Sequence, residues 1–240
     1  MIEAIDWDTT FRPAILALLN GEAFNIYNPP WVLFPLIPFA VMGSEGRVMM
    51  LLFGLLSFLL AIKSLGAGKL GTVAVLLSPF VYESLAWGNV EWLALLGVAA
   101  TPTIGILLLM IKPQMTFGLI LLKLIARKDR ARVAILVAAV TLLSFMFFGF
   151  WPLKTLSYNQ FVGSEVNLAL FPWAIPAGII LLFIGLRFKK QWAALAASPL
   201  FMHVLTPNSW AGIFVAMSKF TRVSVLGSVV MWLIVLSRYL

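Results

Sequence analysis

Apolar runs crowd this chain. Arg47 to Ile62, Leu70 to Tyr82, Val90 to Ala100, Ile104 to Ile111, Met115 to Ile125, Val133 to Trp151, Leu168 to Leu186, Trp192 to Leu205 and Val223 to Leu236 follow one another with only short polar breaks. A membrane β-barrel would show strands alternating apolar and polar with a period of two, separated by turns, and these runs are too many and too closely joined for that. Of the 240 residues, 62% are hydrophobic and 11% charged, where a soluble domain carries about 25% charged residues. The sequence therefore predicts an all-α fold, a polytopic transmembrane helical bundle. Several runs fall short of the roughly 20 residues that cross a bilayer. Short, Pro- and Gly-interrupted helices persist at membrane depth only where protein or a watery cavity satisfies the freed backbone, so broken helices around a cavity are expected.

Composition also removes function classes. No cysteine is present, which excludes a disulfide framework, a thiolate nucleophile and a Cys-based metal site. One histidine cannot build a histidine metal cluster, so no metal ligand set is assigned. The formal charge of +8 does not point to nucleic acid in so apolar a chain, because basic residues mark cytoplasmic loops. The N-terminus shows no basic region followed by an apolar stretch, so no signal peptide is expected.

Lys63/Lys69, Arg127/Lys128/Arg130/Arg132 and Arg187/Lys189/Lys190 form the basic clusters that the positive-inside rule places in the cytoplasm. Between the first two, Leu70–Tyr82, Val90–Ala100, Ile104–Ile111 and Met115–Ile125 supply an even number of crossings if each run crosses once. The outer face then receives Glu83, Glu91, the Lys112-Pro113-Gln114 turn, Pro152 to Asn167 with Glu165, and His203. Trp87, Trp92, Trp151, Trp173 and Trp210 fall near segment ends, as an interfacial aromatic belt requires.

Residues 1–30 form an extracytoplasmic or interfacial N-terminal segment and residues 31–240 the transmembrane helical domain. In the first, Phe11, Ala14, Ile15, Leu18 and Leu19 recur at helical spacing, with Thr9 or Thr10 as a cap, Pro13 early and Gly21 as the stop. This predicts a short helix lying on the membrane surface. Pro29-Pro30 breaks the chain before "WVLFPLIPFAVMG", a stretch of a length that suits a re-entrant or interfacial segment.

The order "IDWD", "ALLNG", "YNPPWVLFPLIPF", "GNVEWLALLG" and "IKPQ" ahead of a basic loop resembles the bacterial GT-C glycosyltransferases that take mannose or a related sugar from a polyprenyl-phosphate carrier, particularly the polyprenol-phosphomannose-dependent α-mannosyltransferases. The resemblance covers roughly residues 5–130 and marks a short or degenerate member. It implies a site on the outer face of the bacterial inner membrane, a lipid-linked sugar donor, and a general-base Asp in the first outward loop. Asp6 is the first candidate for that base and Asp8 the second.

Chemistry agrees with this division: an inverting transfer needs a carboxylate for the acceptor proton and positive charge or donors for the leaving phosphate. No cofactor beyond the lipid-linked donor is required. Lys112 is the candidate phosphate ligand, with Gln114 assisting. Arg12, Tyr27, Asn28, Asn89, Glu91 and His203 are further substrate-binding candidates. The residues alone leave structural roles open: Asp6 and Asp8 as solvated acids, Glu91 as complement to a helix dipole, Glu83 as rim charge, His203 as an interfacial histidine, Arg12 as an ion pair or headgroup contact, Tyr27 and Asn28 as caps of the Pro29-Pro30 break, and Lys112 as a snorkelling anchor. The competing class of function is a non-catalytic subunit of a larger membrane complex, or a small-molecule or lipid carrier.

Overall fold

A computed structural model describes residues 5–26, 28–126, 128–153 and 167–237, and every regular element among them is helical. Tyr27, Arg127 and Glu165 lie outside the described residues, as does most of the predicted outward loop Pro152 to Asn167. The chain opens as a π-helical turn, Trp7–Phe11, that runs into α1 (Arg12–Leu19). The expected cap is not used: the helical turn starts before Thr9, whose hydroxyl donates to the Ile5 carbonyl at 2.5 Å. The expected stop holds. Gly21 adopts φ +72°, and its N–H reaches the Leu18 carbonyl while that of Glu22 reaches the Ala17 carbonyl, closing a Schellman motif.

Trp7, Phe11, Ala14 and Ile15 are buried and α1 packs against α2 (Leu33–Val41), so this segment contributes to the core. The stretch Pro30–Val41 is helical but short of a span. Gly43, at φ +67°, then reverses the chain into α3 (Ser44–Ser64).

The run Leu70–Tyr82, expected as one crossing, is instead two helices, α4 (Lys69–Leu76) and α5 (Pro79–Ala86). Ser78 breaks it by accepting the Val81 N–H, and Pro79 occupies the first position of α5, where its missing N–H costs nothing. α6 (Glu91–Ala99) is buried almost all round and packs against α3 and α7 (Pro102–Leu109). A Cβ on Gly97 or on Gly105 would sit 2.6 Å from the other's carbonyl oxygen, so only glycine at both positions permits this helix pair. Trp92, expected in the interfacial belt, is 3% exposed and meets Phe39 edge-on at 6.2 Å.

The chain continues through α8 (Pro113–Ile125), α9 (Arg130–Phe148), α10 (Ile175–Phe188), α11 (Gln191–Ala197), α12 (Ala211–Met217) and α13 (Thr221–Ser237). α8, α10 and α11 form one packed group, and α13 lies along α4. Among the described residues two helices, α3 and α9, are long and apolar enough to cross a membrane. At about 1.5 Å rise per residue, α6 and α7 cover less than half of the roughly 30 Å hydrocarbon core. One crossing per apolar run is therefore not how these short helices are built; they pair with their neighbours.

Candidate functional site

The site begins at the turn between α5 and α6. Gly88, at φ +69°, lets the chain leave α5 through a second Schellman closure, with Gly88 N–H on the Leu85 carbonyl and Asn89 N–H on the Ser84 carbonyl. Asn89 is thereby fixed and buried. Its Nδ2 donates to Asp6 Oδ2 at 2.5 Å. Next to this bond the Trp7 N–H donates to the Trp87 carbonyl at 3.2 Å. Side-chain and backbone bonds together dock the N-terminal turn onto the α5–α6 corner, 83 residues away in sequence.

Two residues beyond Asn89, Glu91 opens α6 and is 0% exposed. Its Oε1 accepts from Lys112 Nζ at 2.7 Å and its Oε2 from Ser84 Oγ at 3.3 Å. Lys112 precedes Pro113 at the start of α8, and its carbonyl accepts the Thr116 hydroxyl. Asn28 Nδ2 donates to the adjacent Ile111 carbonyl at 3.3 Å. The structure thus joins Asp6, Asn89, Glu91, Lys112 and Asn28 through one corner of the fold.

Burial pushes the Asp6 carboxyl above its ordinary range and Glu91 adds to the rise, while the Lys112 ammonium and the Asn89 hydrogen bond pull it back. Glu83, half-buried in the last turn of α5, is pushed up to about 7 by burial, then by Glu91 and Asp6. The Glu91 charge reaches both Asp6 and Glu83, and each of these also raises the cost of charging the buried corner. Such an arrangement can take up or release a proton near neutral pH.

The remaining candidates fall elsewhere. The expectation of an outward turn presenting Lys112 is overturned: the residue is buried and its ammonium points at Glu91, because a lysine that gives up water needs a counter-charge at contact distance. Gln114 is half-buried in the first turn of α8 and makes no hydrogen bond to this corner. Asp8 is exposed and lies 3.8 Å from Arg47. Arg12, nearest to the acidic pair in sequence, turns its Nε to the Ala40 carbonyl at 3.5 Å. His203 is exposed between α11 and α12, its carbonyl bonded by Asn167 and its ring against Phe171.

Sequence reasoning passed over Ser84 and Arg47 and treated Glu83 as rim charge. The usable signal was Gly88, whose turn brings Glu83, Ser84, Asn89 and Glu91 to one corner. Among the described residues no group of three His, Cys, Asp or Glu side chains is set to hold a metal ion. The chain matches no family model, no curated protein and no solved structure.

Proposed function

We propose that this chain is a polytopic membrane glycosyltransferase of the GT-C type. It moves a mannose-like hexose from a polyprenyl-phosphate carrier to an extracytoplasmic acceptor at the bacterial inner membrane. The observation that carries the reading is the Asp6–Asn89 hydrogen bond, which holds a partly exposed carboxylate at a buried, charged corner. The placement of charge agrees with it: Asp8 and Arg47 meet near the start of α3, whereas Lys63 lies in its last turn, about 24 Å away at helical rise. Glu83–Asn89 accordingly faces outward and Lys63–Lys69 inward.

In the reaction the acceptor hydroxyl attacks the anomeric carbon. Asp6 takes the hydroxyl proton, the bond from that carbon to the phosphate oxygen breaks, and its electron pair leaves with the polyprenyl phosphate. Asn89 holds the Asp6 carboxylate in place and leaves its other oxygen for the acceptor. Lys112 and Glu91 act as a neutralised pair that fixes the corner, so a phosphate reaching Lys112 must displace Glu91.

The test is transfer from labelled polyprenyl-phosphomannose to methyl α-mannoside by the protein in lipid nanodiscs. Turnover that Asp6→Asn abolishes supports the reading, and wild-type protein inert with hexose donors and sugar acceptors overturns it. One feature favours a second reading, a non-catalytic subunit. α9 leaves most of its apolar surface uncovered, Met146 79% and Phe147 78% exposed, which suits lipid or a partner helix. That reading predicts a stoichiometric companion after mild extraction.

A further inference from the structure

Three turns carry cations that the proposed reaction does not use: residues 63–69 between α3 and α4, 187–190 between α10 and α11, and 218–222 between α12 and α13. They hold two, three and two lysines or arginines, all exposed, and no aspartate or glutamate. The fold brings them to one end. α4 and α13 run side by side in the same direction: a Cβ on Gly71 would sit 2.3 Å from the Ser218 carbonyl oxygen, Ser228 Oγ donates to the Ala74 carbonyl at 2.7 Å, and Trp232 Nε1 donates to the Leu77 carbonyl at 2.6 Å. Lys69 and Arg222 therefore stand together where the two helices begin. Trp192, two residues past Lys190, meets Phe220 edge-on at 4.8 Å and draws the third turn against them. In that turn Lys189 closes α10 at φ +53°, a conformation glycine adopts without strain, so a cation occupies a position where the backbone favours glycine. From these cations exposed apolar stripes run along the helices at helical spacing. Val73 and Leu77 follow Lys69, Leu226 and Leu233 follow Arg222, and Phe183 stands one turn before Arg187.

We propose that this end binds anionic phospholipids, their phosphates held by Lys69, Lys219 and Arg222 and their acyl chains lying along α4 and α13. A cation at the head of an apolar stripe repeats the order of such a molecule, charge first and hydrocarbon after. A phosphate free in solution, or an acidic soluble protein, would cover the cations and leave the stripes bare. A single partner helix on α4 and α13 would leave uncovered the stripe on α10, which belongs to another packed group. Basic groups clustered at helix ends without acidic neighbours favour anionic over zwitterionic headgroups, and Trp192 and Phe220 lie level with the cations, where interfacial rings sit. Lys63 ends α3 at the opposite end from Asp8 and Arg47, so this surface is distinct from the Asp6 corner and serves a catalytic chain and a non-catalytic subunit alike.

The purified protein in mild detergent is offered equal amounts of phosphatidylglycerol and phosphatidylcholine with the same acyl chains, and the lipid retained is counted by native mass spectrometry. Phosphatidylglycerol is expected to be retained preferentially, and the preference to shrink as salt rises. Lys69→Gln and Arg222→Gln are each expected to weaken phosphatidylglycerol about fivefold, the scale of one cation at an anionic surface, and to leave phosphatidylcholine unchanged. The charge-keeping pair Lys69→Arg and Arg222→Lys is expected to retain the preference, and Leu226→Asn to weaken both lipids. Equal retention of the two lipids by the wild type overturns the proposal, as does a preference that the two Gln variants leave untouched. Displacement of phosphatidylglycerol by glycerol 3-phosphate would replace it with a free-phosphate site, and an acidic protein held in place of lipid and lost in the Gln variants would replace it with a protein interface. Absence of sugar transfer, which sinks the transferase reading, changes none of these outcomes.

Discussion

Lys112 Nζ lies 2.7 Å from Glu91 Oε1, with the lysine side chain 8% exposed and the glutamate side chain 0%. Removing one member of such a pair strands a buried charge, at about 3–5 kcal/mol, whereas replacing both with apolar residues can be near neutral. Lys112→Met and Glu91→Leu are each expected to destabilise strongly, and the double variant much less than their sum. Unfolding in mixed micelles across the double-mutant cycle checks this; additive losses would remove the pair from the stabilising core.

Asp6 and Asn89 make a second, chemical prediction. Asp6→Asn should lower transfer by roughly 10²–10⁴-fold, the usual worth of a general base. Asn89→Ala should be milder and should move the acidic limb of the pH–rate profile to higher pH, because the Asn89 hydrogen bond stabilises the charged carboxylate that acts as base. A downward shift would contradict the geometry.

Glu83 sets the pH dependence of stability. Its folded pKa of about 7 stands above the ordinary 4.5, so the folded protein holds the proton more tightly than the unfolded chain. That contribution is complete below pH 4.5 and is lost as pH rises through 7. Asp6, also raised, adds in the same direction. Wild-type thermal midpoints should therefore fall from pH 4.5 to about 7 and level off above it, and Glu83→Gln should flatten that decline. Equal slopes for the two proteins would remove Glu83 as its source.

Sidedness is testable because the chain has no native cysteine. With Glu45→Cys and Ser64→Cys at opposite ends of α3, an impermeant maleimide applied outside is expected to label the first and spare the second. The reverse pattern would invert the proposed orientation.

Much of the fold was legible in local chemistry. Gly21 ended α1 where its conformational freedom predicted, and Pro29-Pro30 separated two helices. Where a polar residue interrupted grease, it marked the site: Asp6, Asn89, Glu91 and Lys112 each stood out as anomalies. Their partnerships were not legible. Asn89 meets Asp6 across 83 residues and Lys112 meets Glu91 across 21, and no period in the sequence encodes contacts between helices. Lys112 could be read as an outward turn because Pro113 announces a break but not which way the preceding side chain points. The split at Ser78 was visible as Ser-Pro, yet hydrophobicity alone joined Leu70 to Tyr82 into one run.

The docking of Trp7 and Asp6 onto Trp87 and Asn89 also has a consequence in time. A chain emerges from the ribosome from its N-terminus, so the first helical turn is made long before the corner that receives it. Until α5, Gly88 and Asn89 have been synthesised, Asp6 has no amide to bond and Trp7 no carbonyl. The carboxylate that the transferase reading makes catalytic therefore waits, hydrated, while several helices are laid down. Its proton affinity rises only when that late corner closes over it, so burial of the carboxylate belongs to the end of assembly rather than its start.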